Sequence, residues 1–379
     1  MGSRVTIKDI ARSTGTSVAS VHRALHGGSG VGEDLRRRIL EEAQRSHYQI
    51  DESASLLRRN MIQITVLLPK PEKNERFYYG GLWQGITREA ARLQKAKARI
   101  RMIGTDYGVD QFSHALEKLY DESAMMNEKI DGLVTICDDE ESAAWITRFI
   151  RRGTAVALVD RSLPINGITC CAEVSVEDMG KTAMELAGLY SRGKGTQKDI
   201  RDGRRKIILI NSSRHRSSTK VFSGAARKRL QEEWHADPPS LVEYHETEEA
   251  RVRANLRSML QDDPPEAVIS ASARATFWVC DEIARFYREN PGRIRERPPV
   301  IGTDLFPEQE EFFEDGTLKA VIYQSHLTSG EHCLSHLFDH LVGLDRSCGT
   351  ILHQPLCIIM KDNYRSFLPD DLQKNKVIS

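Results

Sequence analysis

Two groups of residues in this 379-residue sequence could do chemistry, and in both it is binding rather than bond making. The first lies in residues 1–60, where ten Lys/Arg stand against seven Asp/Glu, although the 54 basic and 54 acidic residues of the whole chain cancel. A neutral molecule has no long-range field for nucleic acid, so any grip on a polyanion must be local. The second group is Tyr78, Tyr79, Arg161, Asp304 and Gln324, each expected at the end of a strand or at a crossover. Aromatic faces suit the C–H surface of a sugar, and a carboxylate, an amide and a guanidinium suit its hydroxyls. Structural roles are open to the same residues: Tyr78 in the core, Arg161 bridged to Asp304, Gln324 clamping backbone.

The patterns of catalysis are missing. The run Gly27-Gly28-Ser29-Gly30-Val31-Gly32 follows a helix rather than a strand and does not fit the dinucleotide register. No phosphate loop, nucleophile elbow or metal cluster occurs, and none of the twelve histidines has an acid or nucleophile partner by spacing. No enzyme activity, cofactor or metal is expected. The seven cysteines lack zinc-site spacing, and Cys170 and Cys171 fall in an expected strand where successive side chains face opposite ways, so they are read as reduced packing residues.

The elements that must position the first group are helices. Thr6-Ile7-Lys8-Asp9 has the form of a capping box, followed by a helix to Ser13 with Ile7, Ile10 and Ala11 on its inner face. Gly15 permits a tight turn. Ser17 then caps a second helix, Val18 to Leu25, which turns Val21, Ala24 and Leu25 inward and Val18, Ala19 and His22 outward. A third helix over 33–47 closes the core with Leu35, Ile39, Leu40 and Ala43. Two short helices joined by a glycine turn predict a helix-turn-helix over residues 1–49, whose second helix enters a major groove while helix-start amides and hydroxyls hold phosphates.

The run Val5-Thr6-Ile7-Lys8-Asp9-Ile10-Ala11, followed by Gly15-Thr16-Ser17-Val18-Ala19-Ser20-Val21-His22-Arg23-Ala24-Leu25-His26, resembles the start of the lactose/galactose repressor family. The similarity continues through Val31, Arg38 and Tyr48 to Arg59. It implies that Val18, Ala19, His22 and Arg23 face the groove and that Thr6, Ser17, Ser20 and His26 hold the backbone. His22 stands where the family usually has a small polar residue, so a different operator preference is expected. Residues 51–59, within a hinge helix and linker over 50–61, resemble the family's hinge helix, with Ala54 and Leu57 at the matching positions. Leu57 is then the minor-groove wedge, and Arg58 and Arg59 neutralise phosphate. Ile50 replaces the usual proline, while Asp51 is still a good helix cap.

From Gln63 the pattern changes. Short apolar runs at 64–68, 100–103, 132–136 and 156–159 read as buried parallel strands, separated by helices near 81–97, 110–126 and 140–152. A second set has strands near 168–174, 207–210, 241–244, 267–270 and 300–302, with helices near 178–190, 219–233, 248–260 and 274–288. Such alternation predicts two doubly wound α/β sheets with ligand at the carboxyl ends of the strands.

The marks Val159-Asp160-Arg161, Val176-Glu177-Asp178-Met179-Gly180, Gly302-Thr303-Asp304 and Ile322-Tyr323-Gln324 resemble the two-lobed, periplasmic-binding-protein-like effector domain of the same family. The resemblance implies an effector-binding and dimerisation domain over 62–360. Lobe one is expected over 62–163 and 304–323, lobe two over 166–300 and 326–360, with crossings near 160–166, 302–306 and 323–326, and a tail over 361–379. Two departures stand out: Val221 takes the place of an arginine common in sugar-binding members, and Ser272-Ala273 the place of Asn-Asp. The expected partners are double-stranded operator DNA, a sugar-like small effector and a second copy of the chain, with no membrane. The start, Met1 to Asp9, lacks the apolar stretch of a secretion leader, so the cytoplasm is expected. The rival reading is a cytoplasmic solute-binding or sensor protein of the same fold.

Overall fold

The computed structural model describes residues 5–25, 30–46, 61–106, 111–137, 139–161, 164–191, 206–211, 217–234, 241–292 and 297–368. Met1–Asn60 and Met61–Ser379 form two compact units.

The first unit holds α1 (Ile7–Thr14), α2 (Val18–Leu25) and α3 (Glu33–Arg45). The Asp9 carboxylate reaches back to the helix start, accepting from the Thr6 amide at 2.9 Å and the Thr6 hydroxyl at 2.6 Å. Those bonds hold its carboxyl below the usual range. α1 stops at Gly15, whose φ of +65° is the left-handed conformation that glycine adopts without steric cost. Arg38 donates to the Thr14 carbonyl at 3.1 Å, satisfying an acceptor at that helix end. Ser17 Oγ accepts from the Ser20 amide at 3.0 Å and opens α2. Ile10, Ala11, Val21, Ala24, Ile39 and Ala43 are buried together, with Ile7, Leu25 and Leu35 packed against them. Leu40 corrects the expectation: it is 45% exposed, because the inner stripe of α3 runs through residues 35, 39 and 43 and position 40 falls beside it.

The second unit is built on two six-stranded sheets of matching plan. Lobe one contains β1 (Ile62–Pro69), β2 (Ala98–Thr105), β3 (Gly132–Cys137), β4 (Ala155–Arg161), β5 (Cys170–Glu173) and β11 (Thr350–His353), in the order β11-β5-β4-β3-β1-β2. Lobe two contains β6 (Ile207–Asn211), β7 (Leu241–His245), β8 (Ala267–Ser270), β9 (Val300–Thr303), β10 (Leu318–Tyr323) and β12 (Cys357–Ile359), in the order β12-β10-β9-β8-β6-β7. Every pairing is parallel except that of β12 with β10. Central strands such as β3 and β6 are buried along their whole length, which is why they read as unbroken apolar runs.

The lobe allotment read from the sequence is corrected at both ends. β5 pairs with β4 in lobe one, and β10 pairs with β9 in lobe two. The long helix α12 (His326–Val342) also belongs to lobe one, where Cys333 Sγ donates to the Leu158 carbonyl of β4 at 3.3 Å. The chain therefore crosses between the lobes at 174–175, 324–325 and 354–356, and only the middle crossing lies where it was expected.

α4 (Arg76–Gln94) packs on α12 with backbone against backbone. A Cβ at Gly85 would lie 1.9 Å from the Leu327 carbonyl oxygen, and one at Gly330 would lie 2.5 Å from the Leu82 carbonyl oxygen. Side chains at these two positions would force the helices apart.

Candidate functional site

The ends of β9 and β10, the start of α12 and the first turn of α4 converge on one carboxylate. Asp304 leaves β9 in the left-handed region, at φ 60°, and is 3% exposed. Its amide donates to the Ile322 carbonyl at 3.1 Å, and its carbonyl accepts from Gln309 Nε2 at 3.0 Å. Gln324 Nε2 donates to both carboxylate oxygens, at 3.0 and 3.2 Å. His326 Nε2 lies 2.7 Å from Oδ1, and a carboxylate only accepts, so this imidazole is read as carrying its hydrogen on Nε2.

Tyr78 stacks obliquely on His326 with ring centroids 4.3 Å apart, and Tyr323 stands 5.9 Å away on another side. Burial pushes the Tyr323 phenol up to about 12, so it keeps its proton at neutral pH. Ser325, itself at φ 54°, donates from its hydroxyl to the Pro355 carbonyl at 3.0 Å and so joins the second crossing to the third.

Of the five expected cleft residues, the fold brings Tyr78, Asp304 and Gln324 together. Tyr78 is half-buried, whereas Tyr79 is 2% exposed and packs edge-on to it. Both tyrosines sit in the first turn of α4, which starts five residues earlier than the helix expected at 81. Gln324 bonds the Asp304 side chain, where a clamp on backbone was the alternative. Arg161 ends β4 opposite Cys137, and its side chain lies outside the described residues.

His326 was not foreseen. The signal was present in the spacing: an imidazole two residues after Gln324 can complete the donors around a buried carboxylate, which must be fully bonded to be tolerated. Among the described residues, no three His, Cys, Asp or Glu are placed to hold a metal ion.

Beside this polar clasp lies an apolar one. Phe77 of α4 is buried at 7% against Ala273 at 6% and Phe306 at 4%, with Phe277 packed on the same cluster. Its ring is 4.6 Å from Phe306 and 6.4 Å from Phe277, between centroids. Phe77 comes from lobe one, and the other three from lobe two, where α10 (Ala273–Glu289) carries two of them. Arg76 lies over the Phe77 ring, 4.1 Å from its centroid, and its Nη2 reaches Glu308 Oε1 at 2.6 Å. The departures from the sugar-binding pattern also find places: Val221 is 47% exposed, and Ser272 caps α10 by accepting from the Ala275 amide at 3.3 Å.

In the first unit, Thr6, Ser17, Val18, Ala19 and Arg23 are exposed and Ser20 is half-buried. His22 lies in α2 with its side chain outside the described residues, as are His26, Ala54, Leu57 and Arg58 altogether.

A family model described as a periplasmic binding protein domain matches residues 82–345. The chain belongs to that family. The resemblance to the lactose/galactose repressor family also stands, since the curated relatives are regulators of that kind. One is the HTH-type transcriptional regulator MalR of Streptococcus pneumoniae serotype 4 (strain ATCC BAA-334 / TIGR4), 21% identical over 137 residues that cover 36% of this chain and 40% of MalR. The chain thus spans about two fifths of the length of the curated relatives it matches.

The two-lobed periplasmic-binding-protein fold recurs in solved structures. GanP, a glucose-galactose binding protein from Geobacillus stearothermophilus, aligns with a TM-score of 0.62 at 17% identity, over 80% of this chain and 99% of GanP. The lac repressor dimer bound to operator and the anti-inducer ONPF aligns with a TM-score of 0.56 at 18% identity, over 95% of this chain and 99% of its own. Within this family plan, the Asp304 clasp sits where the carboxyl ends of the lobe-two strands meet a crossing. No helix among the described residues is long and apolar enough to span a membrane.

Proposed function

We propose that this chain is a sequence-specific transcriptional regulator, acting as a repressor, whose hold on operator DNA is set by a small sugar-like effector between the lobes. The observation that carries the reading is the two-sidedness of α2. Val21 and Ala24 are buried at 0% and 3%, while Val18, Ala19 and Arg23 are exposed beside the Ser17 cap. A short capped helix with small residues and one guanidinium on its free face can lie in a major groove, where Arg reads guanine and apolar side chains read thymine methyls.

Thr6, Ser17, Ser20 and His26 contact the phosphate backbone. The hinge segment, with Ala54, Leu57 and Arg58, opens the minor groove when two copies pair. A homodimer presents two such helices to a palindromic site in the bacterial cytoplasm. GanP is named for binding glucose and galactose, and the lac repressor structure for its operator, which supports sugar and DNA as the two partners here. Effector enters among Tyr78, Tyr79, Arg161, Asp304 and Gln324 and shifts the population able to hold DNA, provided it binds the two states unequally. The chain catalyses no reaction on this reading.

The test begins with selection of bound fragments from a random duplex pool by the full chain. Arg23→Ala should then weaken binding to the selected duplex about 10- to 100-fold, the worth of one bidentate base contact, with little change on random duplex. Equal affinity of the wild-type protein for selected and random duplexes would sink the proposal.

A further inference from the structure

We infer that Phe77 is an internal latch: its ring, carried by lobe one, seats in a lobe-two receptacle of Ala273, Phe277 and Phe306 and holds the lobes closed. The cluster joins residues some two hundred positions apart, and each of its innermost members is more than nine-tenths buried. A phenyl ring has no hydrogen bonds to satisfy, so it needs only apolar walls, which the two other rings and the Ala273 methyl supply. A carboxylate at position 273 would lie buried against that ring without a partner. Ala273 is therefore what makes the receptacle fit for a ring. Arg76 lays its guanidinium over the Phe77 ring, 4.1 Å from its centroid, as part of the same packing. Its ion pair with Glu308, by contrast, has both side chains more than two-fifths exposed, so water screens the pair and the ring carries the latch.

The latch is wired to the crossing. Gly81 lies four residues along α4, where a Cβ would meet His326 Cβ at 3.0 Å, and Gly85 lets the same helix rest on Leu327. α4 and the start of α12 thus move as one body, and parting Phe77 from its receptacle pulls on the residue that bonds Asp304. Anything that enters the cleft at this point has to replace a phenyl ring. The fitting ligand carries a ring-sized apolar face against Phe277 and Phe306, and polar groups on the edge turned to Tyr78 and Gln324. That ligand class rests on the effector reading above, whereas the latch does not.

The experiment is a spin-label distance measurement in the full chain, without DNA or effector. Labels are carried by non-natural residues at two exposed sites, Ala91 on lobe one and Arg288 on lobe two. Wild type should give one narrow distribution, and Phe77→Ala a longer and broader one. Saturating toluene, which can fill the vacated apolar site, should return the variant toward the wild-type distance. Glu308→Ala, which removes the ion pair and leaves Arg76 on the ring, should leave the distribution unchanged. If Phe77→Ala does not fold, Phe277→Ala removes a wall of the receptacle from the other lobe and should broaden the distribution likewise. A distribution for the folded variant that superimposes on wild type overturns the latch, and a shift that toluene does not reverse overturns the receptacle. Neither outcome depends on DNA binding, so loss of the latch and loss of the regulatory reading are told apart.

Discussion

Two aspartates set the two regions of the molecule side by side. Asp9 in the three-helix unit and Asp304 at the lobe junction are each held by specific hydrogen bonds, yet Asp9 is exposed and Asp304 is 3% exposed. The bond lengths are alike, from 2.6 to 3.2 Å, so geometry does not distinguish them. Solvent does. Water can replace the bonds of Asp9, whereas nothing replaces those of Asp304, so the same interaction is a local helix start in one region and a structural keystone in the other.

The comparison breaks first if Asp304→Ala is harmless. The change should cost about 3–4 kcal/mol in urea unfolding, from orphaned donors on Gln324 and His326 and from an alanine forced into the left-handed region. Asp304→Asn, which tolerates that backbone and keeps one acceptor, should cost roughly half as much.

Glycines sharpen it next. Gly85→Ala drives a methyl into the Leu327 carbonyl and should destabilise the second unit by about 1–3 kcal/mol, while Gly15→Ala meets no atom within 4 Å and should cost about 1 kcal/mol through its positive φ alone. Calorimetry of the full chain should assign the two losses to different transitions. The smallest effect is on Asp9. Its carboxyl is held below the unfolded value, so its contribution is present above the ordinary carboxylate range and is lost as pH falls through the folded pKa. Asp9→Ala should flatten that acid-side slope of the first transition, and an unchanged slope would mean the box does not stabilise the helix.

Strands such as β3, β6 and β8 were legible because parallel strands buried on both faces are continuous apolar runs. The run at 100–103, expected as a buried strand, instead lies in the edge strand β2, of which only Ala98 is buried. The allotment of strands to lobes was not legible. Cys170–Glu173 is four residues long and nothing in its composition says that it pairs with β4, since register is set by neighbours far along the chain. β10, β11 and β12 were not picked out, the last two being only four and three residues long and partly exposed. In the site, Asp304 and Gln324 were readable as polar residues at strand ends. Phe77, Phe277 and Phe306 were not singled out, because an aromatic residue in a helix or loop does not say which lobe it faces.

The short strands β11 and β12 have a temporal meaning. Thr350–His353 and Cys357–Ile359 finish one sheet each, and α12, which covers lobe one, is made shortly before them. Roughly 150 residues separate β5 from α12, which at ordinary synthesis rates leaves the first lobe uncovered on the ribosome for roughly 8–30 s. Neither half can be released as a finished globule by cutting between them, and a nascent chain waits for residues 326–359 before either half closes.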